Sequence, residues 1–268
     1  MPIKCYRCGD EYADGACGCV DGITLVHGDC REILPLLEPG SVDLVLTDPP
    51  YGIIEQRWDN TQNVWAARHV LKTLRAFVVF CAQPFTTDLI NGNRDEFKYC
   101  WVWVKSQPGD CTNAKNKPMR SHEDIAVFSG GTTANRSGRR MPYFPQGLSR
   151  SGRKRTMGDN NPGRNGGSFK PFRPSHKPYT QEHTGYPTTI LDFPNERGVC
   201  HPTQKPLALL AYLVETYSQR DEAVLDPFAG SGTTGRACKD LGRKCIMVEI
   251  EEKYCEIAAN RLRQEVLF

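Results

Sequence analysis

Several features that a chain of 268 residues could carry are missing here. No apolar run approaches the about twenty residues that cross a bilayer, and mean hydropathy is −0.51, so no membrane span is expected. The N-terminus lacks the charged-then-apolar pattern of a secretory leader. Disulfides are therefore not the expected use of cysteine. Charge of one sign is scarce as well. The 34 Lys and Arg against 31 Asp and Glu leave a net charge of +3, which argues only weakly for a polyanionic partner. There is no internal repeat. The length suits one sizeable core with a small satellite.

Cysteine is abundant, with twelve in the chain. Four crowd into "CYRCGDEYADGACGC": Cys5, Cys8, Cys17 and Cys19. Two close pairs joined by a short polar loop can place four thiolates around a structural zinc ion. Gly9 and Gly18 relax the backbone beside the sulfurs. A tail carrying four thiols without metal is the alternative. The remaining cysteines are scattered, several in apolar runs such as "VVFCA" and "RKCIMVEI", where they read as small core residues.

Beyond the cysteines, periodicity organises the chain. "GITLVHGD" reads as a strand ending near Asp29, "CREILPLLEPG" as a short helical piece and "SVDLVLT" as a strand. "TQNVWAARHVLKTLR" has helical spacing, and "AFVVFCA", "EFKYCWVWVKS" and "EDIAVFSG" read as strands. From about 130 to 185 the pattern disappears into Gly, Pro, Asn, Ser and Arg. Residues 130–180 hold eleven Lys or Arg and one acid, Asp159. Then follow a helix ("KPLALLAYLVETYSQ"), a strand ("AVLD"), a helix ("SGTTGRACKDLG"), a strand ("RKCIMVEI") and a closing helix from Glu251 that includes "EVLF". Strands alternating with helices predict an α/β fold, its sheet mainly parallel and covered on both faces.

The stretch "AVLDPFAGSGTTGRA" joins a buried strand, a glycine-rich turn and a helix start. Glycines let a ligand approach the backbone, and the helix N-terminus offers free N–H groups. The next strand delivers Glu249 to its end, where an acid can accept both hydroxyls of a ribose. The P-loop lysine is absent, which argues against nucleoside triphosphate hydrolysis. NAD and S-adenosylmethionine both fit the pattern. Dinucleotide domains usually place this motif near their start with a second mononucleotide half following, whereas here 42 residues follow Asp226, about enough for two βα units. Asp226 and Phe228 suit an ammonium and a sulfonium, whereas Asp226 would repel a pyrophosphate.

A second polar stretch, "TDPPYG", ends the strand at 41–47. If that strand lies beside 223–226, both motifs share the sheet edge where open α/β sheets bind ligands. An exocyclic amine of a nucleobase is a poor nucleophile because its lone pair is delocalised into the ring. Asp48 and the Pro49 carbonyl can each accept one of its hydrogens and favour the tetrahedral nitrogen. Pro49 and Pro50 stiffen the turn, and the Tyr51 ring offers a stacking face for a flipped base. Taken alone, Asp-Pro-Pro also marks an ordinary turn.

"TDPPYG" with "DPFAGSGTT", and "HPTQKP" from His201 to Pro206, resembles the amino-group DNA methyltransferases, which modify adenine N6 or cytosine N4. The circularly permuted order, catalytic motif first and cofactor motif last, resembles their beta class. "GDCREIL" and "RSHEDIAVFSG" are similar to further elements of that class. The match covers roughly 23–128 and 200–268. The resemblance implies a Rossmann-like S-adenosylmethionine-dependent methyltransferase fold and a division of labour. Asp48, Pro49, Pro50 and Tyr51 would hold the target base. Asp226, Phe228, Gly230 and Gly232 would line the methionine end of S-adenosylmethionine. Glu249 would take the ribose, Asp29 the adenine amino group, and Thr203 with Lys205 the methionine carboxylate. A strand-end cap is the alternative role for Asp29.

The expected domains are a zinc-binding head (1–20), a catalytic half (21–129), a basic, partly flexible target-recognition region (130–198) and a cofactor half (199–268). In the third, Arg and Lys would meet phosphates while Tyr143, Phe144, Phe169, Phe172 and Tyr179 stack on or wedge between bases. Double-stranded DNA is the expected partner; a homodimer and a cognate restriction enzyme are left open. The expected location is the cytoplasm of a prokaryote, or of a cell carrying a phage. An aspartate opening the catalytic motif tilts the target towards adenine N6. Cytosine C5 chemistry needs a cysteine nucleophile, and no Pro-Cys dipeptide occurs. Two more distant readings are an NAD-dependent oxidoreductase, resting on G-x-G-x-x-G alone, and a non-catalytic zinc and nucleic-acid-binding protein.

Overall fold

A computed structural model describes residues 3–9, 11–12, 19, 21–51, 61–155, 179–196 and 204–264. In chain order the elements are β1 (Ile3–Lys4), β2 (Glu11–Tyr12), β3 (Ile23–His27), α1 (Cys30–Ile33), β4 (Val42–Thr47), β5 (Leu71–Cys81), α2 (Phe85–Gly92), β6 (Phe97–Gly109), β7 (Arg120–Phe128), β8 (Ser149–Arg155), β9 (Tyr179–Thr184), β10 (Ile190–Asp192), α3 (Leu207–Tyr217), β11 (Ala223–Asp226), α4 (Thr233–Leu241), β12 (Lys244–Glu249) and α5 (Glu252–Arg263). A 3-10 helix spans Thr61–His69.

The chain divides into two compact units, residues 1–144 with 189–268, and residues 145–188. The first holds an eight-stranded sheet of order β10-β6-β7-β5-β4-β11-β12-β3. Only β7 runs against the others. A largely parallel sheet is covered on both faces, so its strands read as unbroken apolar runs rather than alternating ones. All six residues of β4 are buried. One face packs on α3, α4 and α5 through Leu44, Val78, Leu213, Val224 and Ala258. The other packs on α1, α2 and the 3-10 helix through Val45, Phe77, Phe85 and Leu89. Each such leucine or phenylalanine contributes about 2 kcal/mol by leaving water.

The N-terminal head lies along β3, the edge strand of the sheet. The Tyr6 N–H donates to Leu25 O at 2.6 Å. Arg7 pairs with both oxygens of Asp21 at 2.7 and 2.8 Å and donates to Ile23 O at 2.7 Å. Part of an edge that would otherwise be open is thereby covered.

The second unit contains an antiparallel ribbon, β8 with β9, pairing Arg150 with His183, Arg153 with Gln181 and Lys154 with Thr180. Its register shifts between Arg150 and Arg153. Gly152 sits there at φ 59°, a conformation glycine adopts without a steric penalty.

Two stretches differ from the sequence reading. Leu71–Arg75 is strand, not helix, and extends β5 at its start. Lys72 and Arg75 imitate helical spacing because both reach Asp43 on β4, at 2.7 and 3.0 Å. The region without periodicity contains the β8–β9 ribbon, whose sequences "SRSGRKR" and "YTQEHT" carry no apolar alternation to detect. The closing "EVLF" lies outside the described residues.

Candidate functional site

β4 and β11 are neighbours, with Val224 opposite Leu44 and Leu225 opposite Val45. Their C-terminal ends therefore lie side by side. A side-chain bridge joins them there: Thr47 Oγ1 donates to Asp226 Oδ1 at 2.8 Å. The Phe228 N–H donates to the same oxygen at 3.1 Å, and Thr234 Oγ1 donates to Oδ2 at 2.6 Å. Asp226 is thus the buried knot between β4, the glycine turn and the start of α4. Burial pushes its carboxyl up to about 6, against the pull of the two hydroxyl donors. A carboxylate offers about four lone-pair sites, so Asp226 retains acceptor capacity towards a nearby cation.

Asp48 follows Thr47 directly. Its Oδ1 accepts from the Tyr51 hydroxyl at 2.7 Å, and its Oδ2 from Lys205 Nζ at 2.5 Å. The Tyr51 ring stacks on Phe85, centroids 5.5 Å apart and planes 22° apart. Burial, then the neighbouring Asp48 charge, raises the phenol well above its ordinary value. Tyr51 therefore stays a neutral donor. Pro49 is buried and Pro50 half-buried, and with φ fixed they hold the turn stiffly.

The glycines of the turn have different jobs. Gly232 has φ 75°, and a Cβ there would stand 2.7 Å from the Ala258 Cβ on α5. It is needed for conformation and packing together. Gly230 has φ 51°, and a Cβ there would meet no atom within 4 Å. The backbone at Gly230 is thus the part of the turn open to a ligand. Its N–H donates to Glu249 Oε2 at 2.7 Å, while the Glu251 N–H donates to Oε1 at 2.9 Å. Burial raises the Glu249 carboxyl above its ordinary value. Each oxygen keeps a lone pair, which a pair of vicinal hydroxyls can use.

Asp29 caps α1, accepting from the Arg31 N–H at 2.8 Å and pairing with the Arg31 guanidinium. The hydrogen bond from Arg31 holds its carboxyl below the usual range. It lies one turn beyond β3, whose last residue, His27, pairs with Glu249.

At α3 the picture departs from simple anion capture. Thr203, with His201 and Pro202, lies outside the described residues. Glu196 accepts from the Leu207 N–H at 2.6 Å and from Gln204 Nε2 at 2.5 Å. A carboxylate of this chain thus already sits at the helix start, where the dipole favours one. Lys205 is turned to the catalytic side. Besides Asp48 it faces Glu123 Oε2 at 3.3 Å. Gln204 also receives the Ser231 hydroxyl at 3.1 Å, tying the α3 entry to the glycine turn.

Sequence reasoning did not single out Glu123, Lys105, Glu196, Gln204, Thr47 or Thr234. For Glu123 a signal existed: it is in phase with Ile125 and Val127 on one buried face of β7, where a strand rarely places an acid without purpose.

In the head, the Sγ atoms of Cys5, Cys8 and Cys19 lie within 4.8 Å of one another. Cys5 and Cys19 are 3.8 Å apart. Cys17 lies outside the described residues. Among the described residues no helix is long and apolar enough to cross a membrane.

Comparison with known proteins adds four findings. A family model described as DNA methylase matches residues 42–260. The DNA adenine methyltransferase YhdJ of Escherichia coli (strain K12) is 27% identical over 264 residues, covering 89% of this chain and 82% of that protein. Among solved structures, the M1.HpyAVI–SAM complex superposes with TM-score 0.59 at 24% identity, covering 90% of this chain and 100% of that one. The cytosine-N4-specific PvuII DNA methyltransferase superposes with TM-score 0.62 at 16% identity, covering 92% and 88%. The likeness to both solved structures is one of fold.

Proposed function

This chain belongs to the DNA methylase family of N6/N4 amino-methyltransferases, and from that membership we propose that it transfers a methyl group from S-adenosylmethionine to adenine N6 in double-stranded DNA. The observation that carries the reading is the Thr47–Asp226 bridge. It fixes the base-holding turn and the glycine turn at one sheet edge. The open backbone at Gly230 and the spare lone pairs of Asp226 and Glu249 fit the cofactor's cationic and ribose ends.

When bound, S-adenosylmethionine supplies an electrophilic methyl carbon whose bonding pair remains with sulfur. Asp48 and the Pro49 carbonyl accept the two hydrogens of the target amine and turn its lone pair out of the ring plane. Tyr51 holds Asp48 in the orientation this requires. The proton surplus on the methylated nitrogen leaves through Asp48. Asp48 at the head of the motif favours adenine over cytosine.

The test is transfer from tritiated S-adenosylmethionine to unmethylated DNA, followed by digestion to nucleosides. The expected product is N6-methyldeoxyadenosine, with activity lost at least 1000-fold (~10³, as for a group that stabilises the transition state) in Asp48→Ala. N4-methyldeoxycytidine as the product would overturn the adenine assignment and leave the family unaffected.

The head supports a structural zinc site. Four sulfurs at about 2.3 Å from one zinc ion stand about 3.8 Å from each other, the separation observed between Cys5 and Cys19. Cys5, Cys8 and Cys19 would hold the ion, with Cys17 as the fourth ligand. The basic ribbon of the second unit, carrying Arg150, Arg153 and Lys154 exposed, fits contacts to DNA phosphates.

A further inference from the structure

Behind the catalytic aspartate stands a row of alternating charges, Asp48, Lys205, Glu123 and Lys105. Lys205 Nζ lies 2.5 Å from Asp48 and 3.3 Å from Glu123. Glu123 Oε1 is paired on its other side with Lys105. The two middle members are buried, Lys205 at 8% exposure and Glu123 at 7%. Apolar and aromatic surfaces enclose them: the Lys205 ammonium is 5.2 Å from the Phe80 ring centre and 6.0 Å from that of Tyr51.

One carboxylate suffices to neutralise a buried ammonium, and Asp48 already does so. Glu123, balanced from its other side by Lys105, adds a second buried pair whose desolvation cost fold stability alone does not require. Moreover, Glu123 Oε2 is buried and makes no hydrogen bond of good geometry among the described residues. A buried oxygen with a charge contact but no hydrogen bond is an exception that calls for a reason. The reaction supplies one. As the methyl group arrives, positive charge develops on the amine nitrogen held at Asp48. An Asp48–Lys205 pair alone is neutral at that point and offers the new charge little. The four charges of the row sum to zero, but Glu123 offsets Lys205, so the Asp48 carboxylate at the reacting end is left less neutralised before the reaction begins.

Resting on the amino-methyltransferase reading, we propose that Glu123 is a positioning residue of the methyl transfer, holding Lys205 between two carboxylates so that Asp48 keeps its accepting strength towards the amine. Lys105 fixes Glu123 from behind, and Lys205 orients Asp48 instead of serving only as an anion clamp.

The experiment measures single-turnover methylation of DNA with tritiated S-adenosylmethionine, alongside the Kd for each by calorimetry. Glu123→Gln is expected to slow the turnover roughly 10- to 100-fold, with both Kd values within about threefold of wild type. Because that variant leaves Lys105 without its partner, a second variant combines Glu123→Gln with Lys105→Met. It removes one cation and one anion together and keeps the buried charge balanced. It is expected to stay slow. Recovery of wild-type turnover in the double variant would show that Glu123 merely balances Lys105, and the proposal would fail. It fails equally if the loss in Glu123→Gln lies in the Kd values. No transfer by the wild-type protein would instead overturn the amino-methyltransferase reading itself.

Discussion

Asp226 illustrates how one side chain serves both the fold and the site. Its three donors come from β4, the glycine turn and α4, so the carboxylate is well held, yet it is ionised inside the protein at a cost. With the folded value raised to about 6 and an ordinary value near 3.9, the folded state binds the proton more tightly than the unfolded chain. Stability contributed by this group is therefore full below about pH 4 and declines as pH rises towards 6, by about 3 kcal/mol. Asp226→Asn should gain stability relative to wild type as pH is raised from 5 to 7, read as the difference between two series of thermal melts. A difference that does not vary with pH would show that burial does not perturb this carboxyl. The motif residues Asp48 and Asp226 were legible because their neighbours in sequence announce them. For Glu123 only its place on a buried strand face was legible, because its partner Lys205 is remote in sequence and meets it only in the folded chain.

Among the elements, legibility followed packing. β4, β11 and β12 are written in largely apolar runs because both sheet faces are covered, and α3 in an apolar stretch because it packs on one of those faces. The start of β5 was misread because its charges answer to Asp43 rather than to a helix face. The β8–β9 ribbon was missed because a pairing held by backbone hydrogen bonds, with exposed side chains, leaves no pattern in sequence. The head is short and has little core of its own, the setting in which metal coordination replaces burial. Removing metal with a chelator, or changing Cys8→Ser, should release the head from β3 and lower the melting temperature. Purified protein is expected to hold one zinc ion per chain by elemental mass spectrometry. Metal-free protein with an unchanged melting curve would dismiss the site.

Over the whole molecule, the second unit is an insertion in sequence, and the residues that flank it belong to the first unit. The Phe144 N–H donates to Thr216 O at 2.8 Å, and the Val102 N–H donates to Thr189 O at 2.8 Å. Among the described residues, the sheet contains no strand from 145–188. Replacing 145–188 by a short glycine-serine linker should leave the affinity for S-adenosylmethionine within about threefold, while weakening DNA binding at least 100-fold, roughly the effect of removing several phosphate contacts. Calorimetry and gel-shift titration at fixed salt would check both. Retained DNA affinity would assign recognition elsewhere. A change of composition near 130 was visible in sequence. The limits of the unit were not, because residues 130–144 and 189–196 share its polar composition yet run with the sheet unit.

The pairing of β4 with β11 has a consequence for how the protein is made. On the ribosome, the turn that follows β4 emerges well before β11, the strand that must lie beside β4. Until then the centre of the sheet stands open, its apolar edges waiting for about 180 residues of intervening chain to be synthesised (Leu44 to Val224), a long-range closure of the kind that slows folding. A nascent chain halted anywhere before β11 is thus a protein with its chemistry spelled out and no means of performing it. The order of the motifs makes the assembly of this sheet edge wait for the second of them.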